Sequence, residues 1–278
     1  MVWWPKTPCS SGKPLWPSRH KTRIMNDYHE ANRKGWDAVS PGWQAKVDKN
    51  RNWRKCPSEP LTFLNPIEQR FLKDIACQQA CVLGSGDNII VFALAGLGAK
   101  VTSVDISQTQ LDIAAGRASE LGLDISFVRA DVTDLSDIED ESFDVVYTGG
   151  HVAVWVSDLI KYYGEAGRIL RPGGLFFVNE YHPFRRPWKE TPDRLELEFN
   201  YFDRGPAQYD RSEDVNAAPG TYPSYEFRWT VSDFVQALLD SGCELLLLEE
   251  FGDKQPDWTP IPVAGLPGSL ILAGRKKG

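Results

Sequence analysis

"ACVLGSGDNIIVFALAGLGAKVTSVD", residues 80–105, decides the fold. It opens on a short apolar run, turns through Gly84-Ser85-Gly86, enters a helical stretch over 88–97 and closes on "KVTSVD", ending at Asp105. A strand, a glycine turn, a helix and a second strand form a parallel crossover unit. Two glycines one residue apart between strand and helix mark a backbone that must approach a ligand closely. The dinucleotide fingerprint G-x-G-x-x-G needs a third glycine where this chain has Ile89.

The alternation continues outward from this unit. Ser107-Gln-Thr-Gln110 reads as a capping box for the helix "QLDIAAGRASEL". "ISFVRAD" is a strand ending at Asp131, and "FDVVYT" is another ending at Thr148. A helix in "SDLIKYYGEAGRIL" stops at Arg171-Pro-Gly-Gly174, and "LFFVNE" follows as a fifth strand. Thr230-x-x-Asp233 caps the helix "FVQALLDS" before the strands "CELLLLEEF" and "SLILAGRK". The last two are joined without a helix, so they pair antiparallel. The expected fold is a doubly wound, Rossmann-like α/β/α sandwich. Its seven-stranded sheet is mostly parallel, with one antiparallel strand near the edge.

Upstream, "DYHEANRKGWDAV" places Tyr28, Asn32 and Trp36 on one helical face, and Pro41-Gly42 is expected to break that helix. Asn65-Pro66 starts a second helix with Ile67, Phe71 and Ile75 on one side. Residues 1–24 carry five Lys/Arg, no Asp or Glu and four prolines, and they read as a disordered leader ahead of Met25. Residues 182–228, mixing aromatics, Pro and Gly, interrupt the strand–helix pattern.

The 278 residues carry a net charge of -7, which argues against a phosphate-binding surface and so against nucleic acid as a partner. No apolar run approaches the roughly 20 residues of a membrane helix, and a cytoplasmic location is expected. The five cysteines lack C-x-x-C spacing, so no metal site or disulfide is expected, only buried free thiols.

In an open parallel sheet, ligands bind at the carboxyl ends of the strands. Asp105 ends its strand about 20 residues after the glycines, where an acid can accept both hydroxyls of a ribose. Asp131 ends the next strand and can accept an adenine N–H, with Ile106 and Val132 sandwiching the ring. Either acid alone can equally be a helix N-cap. The pair, with the glycine turn at the right distance, reads as an adenosine site.

"VLGSGDN", "VTSVDIS", "FVRADVTDL", "FDVVYTGG" and "LRPGGLFFV" stand in the order and spacing of the class I S-adenosylmethionine-dependent methyltransferases. The chain resembles their small-molecule, ubiquinone-type branch over residues 66–181, with 229–278 as the final helix and strand pair. It departs from the family at Val82, where an acid is common, and at Asn88, where a third glycine is common. The resemblance implies S-adenosyl-L-methionine as cofactor, held by Gly84, Ser85, Gly86, Asp105, Ile106, Asp131, Val132 and Gly149. Residues 25–65 become N-terminal lid helices, with Tyr28 and Trp36 over the cofactor. The body of the domain is 66–278, and the 182–228 insertion shapes the pocket of a small-molecule methyl acceptor. An N/D-P-P-Y motif after the fourth strand is absent, which argues against DNA and protein-glutamine acceptors.

His182 and His151 are the candidate bases, His182 ahead, and Glu180, Tyr181 and His182 are candidate acceptor contacts. Each histidine also reads as a loop- or turn-forming residue, and Arg185, Arg186 and Arg194 could bind an acidic acceptor but read first as a solvated cluster. Two other functions stay open: a nicotinamide-dependent oxidoreductase, and a nucleoside-binding protein without turnover.

Overall fold

The computed structural model describes residues 26–50, 52–85, 89–213, 220–252 and 260–278. The expectations about residues 1–24, Gly86 and Asn88 lie outside them. In chain order the helices are α1 (Asp27–Asn50), α2 (Pro66–Leu72), α3 (Ile89–Gly96), α4 (Gln108–Leu121), α5 (Leu159–Ile169) and α6 (Val231–Asp240). The strands are β1 (Gln79–Leu83), β2 (Lys100–Asp105), β3 (Ile125–Arg129), β4 (Phe143–Gly149), β5 (Leu170–Tyr181), β6 (Ala207–Asp210), β7 (Pro223–Glu226), β8 (Cys243–Phe251) and β9 (Ser269–Lys276).

The main sheet has seven strands in the order β3-β2-β1-β4-β5-β9-β8. Pairings from β3 through β5 are parallel, and β9 runs antiparallel to both β5 and β8. This is the expected doubly wound sheet with one antiparallel strand beside the edge. β1 is central and buried on both faces, which is why it reads as an unbroken apolar run. Cys81 and Leu83 join a core with Tyr162, Tyr163 and Phe176, while Ala80 and Val82 join another with Phe92, Tyr147 and Phe177.

Helix ends follow the sequence closely. Asn65 with Glu68 and Thr230 with Asp233 form reciprocal capping boxes. At α4 only half of the expected box forms. Ser107 accepts the Gln110 N–H, but the Gln110 side chain accepts instead from Gln44 at 2.6 Å.

The expected break at Pro41 does not occur: α1 runs through it. Ser40 Oγ bonds the Trp36 carbonyl at 2.5 Å within that turn. Beyond it, Gln44 reaches Gln110 and Asp48 accepts from Arg117 at 3.1 Å, both on α4. These anchors offset a helix-interior proline cost of about 3 kcal/mol. The insertion is also more regular than its composition suggests, since β6 and β7 form a separate antiparallel pair. That hairpin rides on α1: Asn32 donates to the Tyr225 carbonyl at 2.9 Å and accepts its N–H at 2.7 Å.

Cys56, Cys81 and Cys243 are free and buried, with desolvation pushing each thiol up. Cys77 departs from the expectation of free thiols. It lies exposed in the turn before β1 and is disulfide-bonded. Among the described residues, no helix is long and apolar enough to cross a membrane.

Candidate active site

A cavity of about 270 Å³ opens at the carboxyl ends of β1, β2 and β4, where the strand order changes direction. Its floor is Gly84 and Ser85 after β1, Asp105 and Ile106 after β2, Asp131 and Val132 after β3, and Gly150 to Val152 after β4. Its roof is His29, Asn32, Trp36 and Trp43 from α1, with Trp155 and Val156 closing the side.

The two acids are held differently. Asp105 is half-buried, and its Oδ1 accepts the Ser107 N–H at 2.8 Å. Ser107 Oγ donates to Asp37 of α1 at 2.6 Å, so the helix is pinned beside that strand end. Asp131 is buried and accepts Thr133 N–H and Thr133 Oγ–H on Oδ1, at 2.9 and 2.8 Å. His29 Nδ1 stands 2.6 Å from Oδ2. Burial alone would raise the Asp131 carboxyl. The hydrogen bonds from His29 and Thr133 outweigh it and hold the group below the usual carboxylate range.

Gly84 has φ 64, and a Cβ there would lie 2.5 Å from Val152 Cγ1. Only glycine fits both the left-handed backbone and the close approach of the wall. The acid that the family commonly carries is Val82 here, which is buried in the core. The turn is held instead by Ser85, whose N–H donates to the Val104 carbonyl at 3.1 Å. Its hydroxyl lies 2.5 Å from Ser103 Oγ, so that side chain is committed to the turn.

Gly149 is not on the cavity wall. It lies within β4, where a Cβ would meet the Asn179 carbonyl oxygen at 2.6 Å, and its neighbour Gly150 takes the wall position. Tyr28 also misses the wall, packing edge-on against Tyr225 and Phe227 at 4.9 and 5.6 Å. The cavity-facing stripe of α1 is His29, Asn32, Trp36 and Trp43, which keeps the expected Asn32 and Trp36 and has His29 in place of Tyr28.

The candidate acceptor residues surround a second, smaller cavity of about 40 Å³ that shares His151 with the first. Glu180, Tyr181, His182 and Arg186 line it, with Tyr201, Phe227 and Trp229 from the insertion and beyond. Glu180 is fully buried, and burial pushes its carboxyl up to about 7 against the lowering pull of the Ala153, Val152 and His151 amides. His182 has both ring nitrogens committed. Nε2 is 2.6 Å from Glu250 Oε1, and Nδ1 accepts the Phe184 N–H at 3.0 Å, capping the turn Pro183–Arg185. These partners hold His182 in the geometry of a turn former. His151, at φ 80, follows the left-handed Gly150. Its Nε2 faces the Arg186 guanidinium, which also bonds Glu226. Burial, then Arg186 and Arg185, drive His151 well below the ordinary imidazole range, so it stays neutral.

Reading the sequence did not find His29, Trp155 or Arg211. Arg211 lies over the Trp36 and Trp155 rings at 4.1 and 5.1 Å, joining the hairpin end to the roof. His29 was visible in principle, because 29, 32, 36 and 43 recur at helical spacing. Nothing local marks Trp155 or Arg211, which reach the site only through tertiary packing.

Residues 82–178 match the family model described as a methyltransferase domain. The chain is 30% identical over 147 residues to a ubiquinone biosynthesis O-methyltransferase of Nitrosococcus oceani, covering 51% of this chain and 62% of that protein. It is 42% identical over 102 residues to a ubiquinone/menaquinone biosynthesis C-methyltransferase of Bdellovibrio bacteriovorus, covering 36% and 42%. The chain thus spans less than two thirds of either relative. Among solved structures, an S-adenosylmethionine-dependent methyltransferase from Mesorhizobium loti aligns with TM-score 0.58 at 24% identity, over 76% of this chain and 96% of that one. The [4+2]-cyclase SpnF aligns with TM-score 0.59 at 16% identity, over 93% and 99%, a likeness of fold alone. Over residues 82–178 the matched domain, the glycine turn and the strand-end acids agree, and this part of the chain is similar to the S-adenosylmethionine-dependent methyltransferases.

Proposed function

We propose that this protein transfers the methyl group of S-adenosylmethionine to a small organic acceptor. The observation that carries this reading is that Asp105 and Asp131, from adjacent strand ends, face one cavity roofed by α1. In this reading Asp105 holds the ribose hydroxyls, and Asp131 holds the adenine amino group between Ile106 and Val132. Gly84 and Gly86 let the amino-acid part cross the turn. The sulfonium supplies an activated methyl carbon. The acceptor lone pair forms a bond to that carbon as the carbon–sulfur bond breaks, and the acceptor gives up a proton.

The acceptor enters from the side of His151, Glu180 and Tyr181, beneath the 182–228 insertion, whose aromatics exclude water. His151 takes the proton: it is neutral, and it borders both cavities. For this, Arg186 must release Nε2, and Glu226 already accepts from the same guanidinium. His182 keeps the strand end in shape.

The test is thermal unfolding with S-adenosylmethionine against NAD, followed by methyl transfer to a panel of small phenols, amines and thiols. At a hundredfold excess over Kd, the true cofactor adds about 2.7 kcal/mol of stability. A rise in Tm with S-adenosylmethionine alone, together with transfer, is the expected result. A rise with NAD instead overturns the assignment.

A further inference from the structure

We propose that His29 of the lid helix is a positioning residue for adenine, setting the specificity of the cofactor site for a 6-amino purine through Asp131. This rests on the reading above that Asp131 receives the adenine amino group.

His29 is buried, lines the cavity and belongs to α1 rather than to the sheet. Its Nε2 lies 2.9 Å from the backbone N of Ser157. A backbone N–H can only donate, so Nε2 is the bare nitrogen and Nδ1 carries the hydrogen. Nδ1–H therefore donates to Asp131 Oδ2 at 2.6 Å, and the Ser157 hydroxyl, 3.0 Å from Nε2, points the same way. The orientation of the ring is fixed by a main-chain donor on the loop after β4.

An ionised carboxylate offers about four acceptor positions. On Asp131 the Thr133 N–H and hydroxyl occupy Oδ1, and His29 takes one position on Oδ2. Among the described residues nothing takes the remaining lone pair, on Oδ2, at the edge of the cavity that the residue lines. It can only accept. A 6-amino purine presents an N–H donor there, whereas a 6-oxo purine presents a carbonyl oxygen to a carboxylate, which is repulsive. Without the His29 bond Oδ2 loses its tether, and the carboxylate can turn or recruit water. Discrimination then falls even though Asp131 is unchanged.

Calorimetric titration of S-adenosylhomocysteine and of its 6-oxo analogue, S-inosylhomocysteine, reads this as a ratio of affinities. Two substitutions split the roles of the ring. In His29→Asn the side-chain amide can stand at the Nδ1 position, keeping the donor to Asp131 and losing Ser157. In His29→Gln the amide oxygen can stand at the Nε2 position, keeping Ser157 and losing Asp131. The wild type is expected to prefer the adenosyl ligand at least tenfold, His29→Asn to keep most of that ratio, and His29→Gln to fall to within about threefold of unity. A residue that merely packs the lid gives equal ratios in both variants, and that result overturns the proposal. No binding of either ligand by the wild type refutes the methyltransferase reading itself. Binding without discrimination removes adenine from Asp131, and this inference with it.

Discussion

Glu180 Oε1 lies 3.0 Å from the backbone nitrogen of Val152, the residue whose side chain closes against Gly84. The end of β5 therefore carries one wall of the cofactor cavity on a buried carboxyl. Burial raises that carboxyl from 4.5 to about 7. As pH rises past 4.5 the unfolded chain loses this proton while the folded chain keeps it. The stabilising contribution is thus complete below 4.5 and is lost as pH rises through about 7. The loss approaches ~3 kcal/mol. Denaturant titrations of the wild type across that window should show stability falling relative to Glu180→Gln. Parallel profiles contradict the assignment.

Gly84→Ala meets two obstacles, a left-handed backbone and Val152 Cγ1 at 2.5 Å. The first costs about 1–2 kcal/mol and the second about 1–3 kcal/mol. The variant should melt lower and bind cofactor at least tenfold more weakly by calorimetry. Retention of both properties shows that the turn is looser than described.

Asn32 ties α1 to the β6–β7 hairpin through the Tyr225 backbone and donates to the Trp155 carbonyl at 3.1 Å. Asn32→Ala leaves these backbone groups unpaired, at about 1–3 kcal/mol. Hydrogen exchange should accelerate in residues 222–227 and around Trp155, with the sheet unaffected. Unchanged exchange at Tyr225 separates hairpin from lid.

The histidines separate by kinetics. His151→Ala should lower kcat by about 10²–10⁴ with cofactor affinity nearly intact. His182→Ala should instead lower Tm, because Phe184 N–H and Glu250 lose their partner. The reverse pattern restores His182 as the base.

The sheet was legible because the central strands are short apolar runs punctuated by glycine and capping residues, as at Gly84, Asn65 and Thr230, although β5 starts at Leu170 and takes in the Arg171–Gly174 stretch that reads as a helix stop. The two acids were legible for the same reason, since each closes a strand. α1 was harder. Pro41 speaks locally for a break, while the bonds that carry the helix past it come from Gln110 and Arg117, far along the chain. On its cavity face Asn32 and Trp36 stand as expected, but the i−4 position Tyr28 packs on Tyr225 and Phe227, and the i−3 position His29 faces the cavity instead. His182 and His151 looked alike in sequence, and only the partners of their nitrogens distinguish them. Gly149 and Gly150 differ in the same way: one is required by sheet packing, and the other faces the cavity.

The central claim is that Asp105 and Asp131 hold an adenosine cofactor, and titration calorimetry of S-adenosylmethionine into the wild type and Asp105→Ala tests it most directly. Loss of one or two charge-assisted hydrogen bonds, worth about 1.5–3 kcal/mol each, predicts affinity reduced at least tenfold, with Tm of the free protein lowered as well by the lost Ser107 N–H bond. Equal affinity in the two proteins contradicts the account.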